Sequence, residues 1–131
     1  MRTPQKLRYT RDHEWLDLQG DVGTVGITDF AQKELGDIVY VELPAKGATV
    51  RAGKEMGSVE SVKAVSEIFA PVEGEVIDAN GVLSSAPETL NRDPYGEGWM
   101  VKVRVSDPAQ AAKLMDLDAY EAYLKGEGKT G

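Results

Sequence analysis

Short β-branched and aromatic runs, separated by glycine and proline, constrain the fold of this chain more than any other feature. The runs DIVYVEL, EMGSVES and VSEIF have the composition of strands, and WMVKVRVS alternates apolar with polar residues. Pro44, Gly53, Pro71 and Gly74 lie between or beside these runs and favour turns. We therefore expect a mainly β body built from several short strands.

The N-terminal part predicts a hairpin followed by a short helix. HEWLDLQGDVGTVGIT alternates apolar with polar or small residues around a turn at Gln19, Gly20 and Asp21. In TDFAQKELG, Thr28 occupies the N-cap position of a helix and Gly36 is a stop signal. The hairpin should therefore lead directly into a helix that ends before the next strand.

The C-terminal part changes from a strand period to a helical period. Asp107 can cap a helix and Pro108 suits its first position. Asp118 is expected to cap a second helix that ends at Gly126, and the final EGKTG is expected to fray. The stretch SAPETLNRDPYGEG, which precedes the last strand, is expected to be mostly loop with one helical turn near Glu88.

Composition excludes several classes of function. The 131 residues include 22 acidic and 15 basic side chains, and the resulting net charge of −7 disfavours binding to nucleic acid. With no cysteine and one histidine, the chain lacks the residues for a disulfide or a typical zinc site. No apolar run is long enough to span a membrane, and no secretory signal is visible, so we expect a cytoplasmic protein. No linker interrupts the chain, which predicts a single domain over residues 1–131.

Patterns typical of enzymes are missing from the sequence. His13 beside Glu14 could form half of a catalytic dyad, but a lone histidine is more simply a surface or edge residue. The GKT triplet at 128–130 resembles the end of a phosphate-binding loop, yet Tyr123 stands where that motif requires glycine. We therefore do not expect a free-standing enzyme.

Lys63 lies between two strand-like runs, 55–61 and 65–70, at the expected tip of a hairpin. A lysine in a turn is usually just solvated. Here Val62 and Ala64 flank it, and apolar neighbours at an exposed tip suggest that a partner docks there. A compact amine on a four-carbon stem also suits covalent modification.

Two stretches of the chain echo each other weakly. GDIVYVELP begins at Gly36 and GEVIDANGVL begins at Gly74, and each opens with glycine and an acid, forms a strand and precedes a second strand. Such an echo suggests a sandwich with approximate two-fold symmetry.

Four segments together resemble the H-protein family of the glycine cleavage system. They are VESVKAVSE, DHEWLDLQGDVGTVGITDFAQKELGDIVYVELP, APVEGEVIDAN and LNRDPYGEGWMVKV, and the resemblance covers roughly residues 7–125. It implies a mainly β fold of the lipoyl/biotinyl type, an antiparallel β-sandwich (barrel-sandwich hybrid, or hammerhead) with short helices, mostly C-terminal. It also implies a non-catalytic carrier in which Lys63 holds lipoate through an amide bond.

The resemblance implies a specific task and a set of partners. The lipoyl-lysine would be a swinging arm that shuttles the aminomethyl intermediate of glycine catabolism to one-carbon metabolism. A pyridoxal-phosphate glycine decarboxylase (P-protein) loads the arm, a folate-dependent aminomethyltransferase (T-protein) unloads it, and dihydrolipoamide dehydrogenase (L-protein) reoxidises it. A lipoyl ligase or transferase attaches the arm, and Glu60 is either a residue which that enzyme recognises or a solvated strand residue.

The resemblance also implies that the loaded arm docks in a cleft on the carrier's own surface. Glu14, Glu34 and Glu67 match positions of that cleft. In the family pattern the position of Glu34 can be His, and the position of Glu67 is often Asp.

Three alternatives lead to different expectations. A lipoyl domain of a 2-oxoacid dehydrogenase shares the fold and the modification, but it is shorter and precedes a Pro/Ala-rich linker. A biotin carrier typically flanks its lysine with methionine, where this chain has Val62 and Ala64. An enzyme would need a catalytic motif that the sequence does not show.

Overall fold

The computed structural model of the protein describes residues 7–126, which form two antiparallel sheets and several short helices. The strands are β1 (Arg8–Tyr9), β2 (Glu14–Gln19), β3 (Val22–Ile27), β4 (Ile38–Glu42), β5 (Thr49–Val50), β6 (Glu55–Ser61), β7 (Val65–Phe69), β8 (Gly74–Ala79) and β9 (Val101–Val105). The helices are α1 (Asp29–Leu35), α2 (Val82–Ser85), α3 (Thr89–Arg92), a 3₁₀ helix (Pro108–Lys113) and α4 (Leu117–Gly126).

The two sheets form a sandwich around a shared core. The larger sheet has the strand order β1-β2-β3-β9-β8-β5, and the smaller one has the order β4-β6-β7. Each sheet contributes mainly to one cluster of buried aliphatic side chains, and the partly buried Leu43 and Met56 pack against both clusters. The mainly β sandwich expected from the sequence is confirmed.

The two halves that echo each other in sequence are built alike. Strand β4 pairs with β6 in one sheet, and β8 pairs with β9 in the other. The register shifts at the same point of each motif, between Ile38 and Tyr40 in β4 and between Val76 and Asp78 in β8. The weak repeat therefore corresponds to two equivalent strand pairs. In each pair the first strand has one irregularity, of the kind that a β-bulge produces, at the same position of the repeat.

The expected start and end of α1 are observed. The hydroxyl oxygen of Thr28 accepts a hydrogen bond from the backbone N–H of Ala31 at 3.2 Å, which caps the helix. Gly36 ends the helix with φ of 79°, a conformation that glycine adopts at low cost. Both signals are local, so the sequence predicted them correctly.

Two helical details differ from the expectations. The segment after Asp107 is a short 3₁₀ helix, because Met115 exchanges backbone hydrogen bonds with Tyr9 of β1 and so cannot continue a helix. Asp116, not Asp118, caps α4, since its carboxylate accepts from the backbone N–H of Ala119 at 2.9 Å.

The stretch 85–98 contains one helical turn near Glu88, as expected, whereas the short helix α2 just before it was not predicted. Leu83 and Leu90 are fully buried against the smaller sheet, and α2 and α3 are the helical turns that carry them inward. The remaining expectations for the C-terminus, the frayed EGKTG and the GKT triplet, lie outside the described residues.

The C-terminal helix packs against the N-terminal strand. The ring of Tyr120 stacks on Tyr9 with the centroids 4.7 Å apart, and Leu124 is buried beside them. This contact brings α4 next to the loop 10–13 that joins β1 and β2. No helix within residues 7–126 is long and apolar enough to cross a membrane.

Candidate functional site

Lys63 lies at the tip of the hairpin formed by β6 and β7, where a single serine organises the turn. The hydroxyl oxygen of Ser61 accepts from the backbone N–H groups of Lys63 at 3.3 Å and Ala64 at 3.1 Å. The backbone N–H of Ser61 donates to the carbonyl of Ala64 at 2.8 Å. The turn is therefore tight, and it presents an exposed Lys63 at its end.

A second contact ties the tip to the body of the protein. The backbone N–H of Val62 donates to the carbonyl of Asp37 at 3.0 Å, in the connection between α1 and β4. The stem of Lys63 lies close to the same connection, since a Cβ placed on Gly36 would be 3.5 Å from the lysine Cε. The hairpin therefore has a defined direction as well as a defined shape.

The surface around the tip is unusually apolar for an exposed one. Val62 and Val65 are 70% and 67% exposed, and Tyr40 on the neighbouring strand is 57% exposed. Glu60 on β6 pairs with Tyr40 on β4 on one side and with Val65 on β7 on the other. Glu60 thus lies between two exposed apolar side chains, beside the turn as expected. Such a patch is typical of a surface that contacts a partner.

A cleft runs from the tip along β7 and faces the loop 10–13. It consists of three adjoining cavities of about 400, 630 and 150 Å³, all of which are lined in part by Asp12. Glu14 lines the first cavity, Glu67 the second and Glu34 the third. The structure therefore brings the three acids from distant parts of the chain to one cleft, each in its own compartment.

Glu14 is the unusual acid of the three, because it is almost completely buried. Its Oε1 accepts from the hydroxyl of Thr10 at 2.6 Å, and its Oε2 accepts from the backbone N–H of Phe69 at 3.1 Å. Burial raises the pKa of Glu14 to about 7, although the two hydrogen bonds oppose the shift and the charge of Asp12 adds to it. The carboxyl group thus titrates near neutral pH inside the cleft.

Glu34 and Glu67 are exposed at the rim of the cleft. Glu67 lies on β7 opposite Ser58 of the neighbouring strand, and Glu34 lies near the end of α1. Exposed carboxylates bind a cation weakly, because water screens their charge. Glu14 is therefore the only one of the three expected acids placed to act strongly on a charged group in the cleft.

The sequence did not predict the role of the loop that forms the opposite wall. Asp12 lines every compartment of the cleft, and His13 lines two of them with its backbone in a left-handed conformation at φ of 69°. The Nδ1 of His13 lies 2.9 Å from the hydroxyl of Tyr120, and its ring packs on Phe30. His13 is half-buried and serves packing, while both oxygens of Glu14 have other partners. A left-handed histidine held by a tyrosine on α4 leaves no local signal in the sequence.

Comparison with known proteins decides the family. Residues 7–127 match the family model described as Glycine cleavage H-protein. The chain belongs to the glycine cleavage H-protein family. It is a lipoyl carrier of the glycine cleavage system and not an enzyme, and members of this family carry lipoate on a lysine.

Bacterial H proteins resemble the chain over almost its whole length. The glycine cleavage system H protein of Anaeromyxobacter sp. (strain K) is 56% identical, over 95% of this chain and 98% of the relative. The H protein of Brevibacillus brevis is 54% identical, over 95% of this chain and 99% of the relative.

A solved H-protein structure shows the same fold. The crystal structure of a glycine cleavage system H protein from Mycobacterium marinum superimposes with a TM-score of 0.84 at 38% sequence identity. The match covers 96% of this chain and 99% of the other.

Proposed function

We propose that Lys63 is the lysine that carries the lipoyl group, and that the P-, T- and L-proteins act in turn on this arm. The observation that carries the proposal is the position of Lys63 at the end of a tight, exposed hairpin with apolar neighbours. A rigid tip lets different active sites take up the same arm, while the dithiolane of lipoate supplies the chemistry.

The arm is long enough to enter the cleft. A lipoyl-lysine extends about 14 Å, summing bond lengths of the size found in peptides. Glu67 follows Lys63 by four residues along the hairpin, which corresponds to about 13 Å of extended strand. An arm folded back along β7 would therefore bring its far end to the level of Glu67, in the middle of the cleft.

The cleft offers a reason for the loaded arm to dock there. The aminomethyl group ends in an amine that is an ammonium near neutral pH, and a nearby carboxylate favours that charged form. We propose that Glu14 binds the ammonium, while Glu34 and Glu67 at the rim contribute weaker attraction. Docking would also shield the adduct from water, which otherwise releases formaldehyde and ammonia.

We also propose that the whole chain, residues 1–131, works as one carrier domain in the cytoplasm, without nucleic acid or a membrane as a partner. Leu43 and Met56 support the single domain because they pack against the cores of both sheets. The net charge of −7 supports the absence of a nucleic-acid partner. The bacterial relatives support a cytoplasmic setting.

The attachment site has a direct test. Intact-mass measurement and peptide mapping of natively expressed protein should find one lipoyl group per chain, on Lys63. The geometry favours this lysine because the tip holds it clear of the sheet. A biotinyl adduct, or a lipoyl group on a different lysine, would contradict the proposal and would favour another kind of carrier.

Glu60 should help the attaching enzyme to recognise the hairpin. It lies between Tyr40 and Val65 on the exposed face, so a partner that covers those side chains must also meet its charge. Glu60→Gln should slow enzymatic lipoylation about threefold, chiefly by slowing association, because charges at an interface act mainly on the association rate.

Glu42→Gln is the matched control for Glu60→Gln. Glu42 is also an exposed strand acid of the same sheet, but it lies opposite Ser58, farther from the tip. Its replacement should leave the lipoylation rate unchanged. If both variants are lipoylated as fast as the wild type, Glu60 is simply a solvated residue.

A further inference from the structure

The segment that follows α2 holds helix α1 at both of its ends. At the start of α1, the backbone N–H of Asp29 donates to the hydroxyl of Tyr95 at 2.8 Å. At the other end, Asn91 of α3 contacts the residues that lead from α1 into β4. The segment belongs to the LNRDPYGEGWM motif, and the cleft described above does not explain this motif.

Asn91 makes three hydrogen bonds, two of which bracket Asp37. Its Nδ2 donates to the carbonyl of Gly36 at 2.8 Å and to Oε1 of Gln32 at 3.0 Å. Its Oδ1 accepts from the backbone N–H of Ile38 at 2.9 Å. The connection from Gly36 to Ile38 is thus fixed on both sides of Asp37 by one side chain.

This connection in turn supports the tip of the lysine hairpin. The carbonyl of Asp37 accepts from the backbone N–H of Val62, the residue next to Lys63. Helix α3 is anchored at this point, because Leu90, the residue before Asn91, is fully buried in the core of the smaller sheet. A continuous series of contacts therefore runs from the core through Asn91 to the attachment lysine.

We propose that Asn91 is a positioning residue that sets the direction in which the hairpin presents Lys63 to the enzyme that acylates it. The proposal rests on the proposed role of Lys63 as the attachment site. The hydrogen bonds of Ser61 maintain the shape of the turn, whereas the bond from Val62 to Asp37 orients the turn relative to α1. Without Asn91, the N–H of Ile38 and the carbonyl of Gly36 lose these bonds, and the connection must shift to find new partners.

The chain offers a closely matched control in Asn80. The Nδ2 of Asn80 also donates to two carbonyl oxygens, here both of the backbone, those of Glu97 at 2.8 Å and Trp99 at 2.7 Å. Its Oδ1 also accepts from a backbone N–H, that of Val82 at 3.2 Å. Asn80→Ala therefore removes the same number of hydrogen bonds as Asn91→Ala, but none of them goes to the connection from Gly36 to Ile38.

The test measures initial rates of lipoylation of the full chain with lipoic acid, ATP and a lipoate–protein ligase, at a temperature where all variants are folded. Asn91→Ala should lower kcat/KM about tenfold, because a small misplacement of a reacting group slows transfer strongly. Asn80→Ala should stay close to the wild-type rate. Asn91→Asp keeps the acceptor for Ile38 but loses both donors, so it should also be slow, and it serves as the second variant if Asn91→Ala does not fold.

Hydrogen exchange gives a readout that is independent of the enzyme. The amide of Val62 should lose protection in Asn91→Ala and keep it in Asn80→Ala, since protection reports local opening.

Equal lipoylation rates in wild type and both Asn91 variants would overturn the proposal, and so would equal slowing of lipoylation in the Asn80 and Asn91 variants. If wild-type protein is acylated on a different lysine, the proposed function fails and the role of Asn91 fails with it. Normal wild-type acylation at Lys63 with fast Asn91 variants overturns the role of Asn91 alone.

Discussion

Lys63→Arg should abolish carrier activity and leave the fold intact. Arginine keeps the positive charge, but its guanidinium stays protonated and does not form the amide bond that lipoate requires. Glycine-dependent formation of NADH in the presence of the P-, T- and L-proteins should fall to the level measured without the carrier. If the variant still supports NADH formation, Lys63 is not the attachment site.

The stability of the Lys63 variant separates a chemical effect from unfolding. Lys63 is exposed, so its replacement should change the free energy of unfolding by no more than about 0.5 kcal/mol. Lys54→Arg is the matched control, because Lys54 is also exposed and precedes β6 at the far end of the same hairpin. That variant should be lipoylated and should support NADH formation at the wild-type rate.

Glu14→Gln should speed the spontaneous release of formaldehyde from the loaded protein about tenfold. A hydrogen bond between two charged groups is worth roughly 1.5–3 kcal/mol, and 1.4 kcal/mol corresponds to a factor of ten. Glutamine has nearly the same shape as glutamate but cannot provide the negative charge that binds the ammonium. Glu67→Gln, at the exposed rim, should have a much smaller effect and is the control for a general loss of negative charge.

The effect of Glu14 should depend on pH in a defined direction. Glu14 of the unloaded protein is ionised above a pKa of about 7, and the ammonium of a docked arm moves that pKa lower. Wild-type protein should therefore protect the arm best at higher pH, and release should speed up as the carboxylate becomes protonated. In Glu14→Gln this additional pH dependence should disappear. Release rates that are identical in wild type and variant at every pH would remove Glu14 from the mechanism.

The unloaded protein provides a second readout of the same group. Between the ordinary pKa of 4.5 and the raised value of about 7, folded Glu14 holds a proton that the unfolded chain has lost. The free energy of unfolding should therefore fall by about 3 kcal/mol as the pH rises through this window. Urea titrations at several pH values should show this fall in the free energy of unfolding for the wild type. The fall should be missing from Glu14→Gln.

Features that depend on neighbouring residues were predictable from the sequence. The Lys63 hairpin follows from two strand-like runs around a short turn, and the cap at Thr28 and the stop at Gly36 need only the residues of α1 and its ends. The equivalent strand pairs in the two sheets also left a trace, since both motifs open with glycine and an acid.

Where the local signals misled, a distant partner was the cause. Asp107 and Pro108 correctly indicated a helix start, yet Met115 pairs with Tyr9 and stops the helix early. No local signal predicted α2, the helical turn that carries the buried Leu83 against the smaller sheet.

By itself, the sequence determined the mainly β architecture, the hairpin tip with its lysine and the family, because these depend on residue order along the chain. Only the tertiary structure decided which of the three acids is buried and which residues contact the tip. Glu14 becomes a buried group that titrates near neutral pH because β7 brings the N–H of Phe69 to it. Asn91 reaches the connection between α1 and β4, which in turn contacts the lysine hairpin, only because α3 packs beside α1. Burial and hydrogen bonding between segments more than fifty residues apart depend on how the sheets and helices pack, and no local pattern records them.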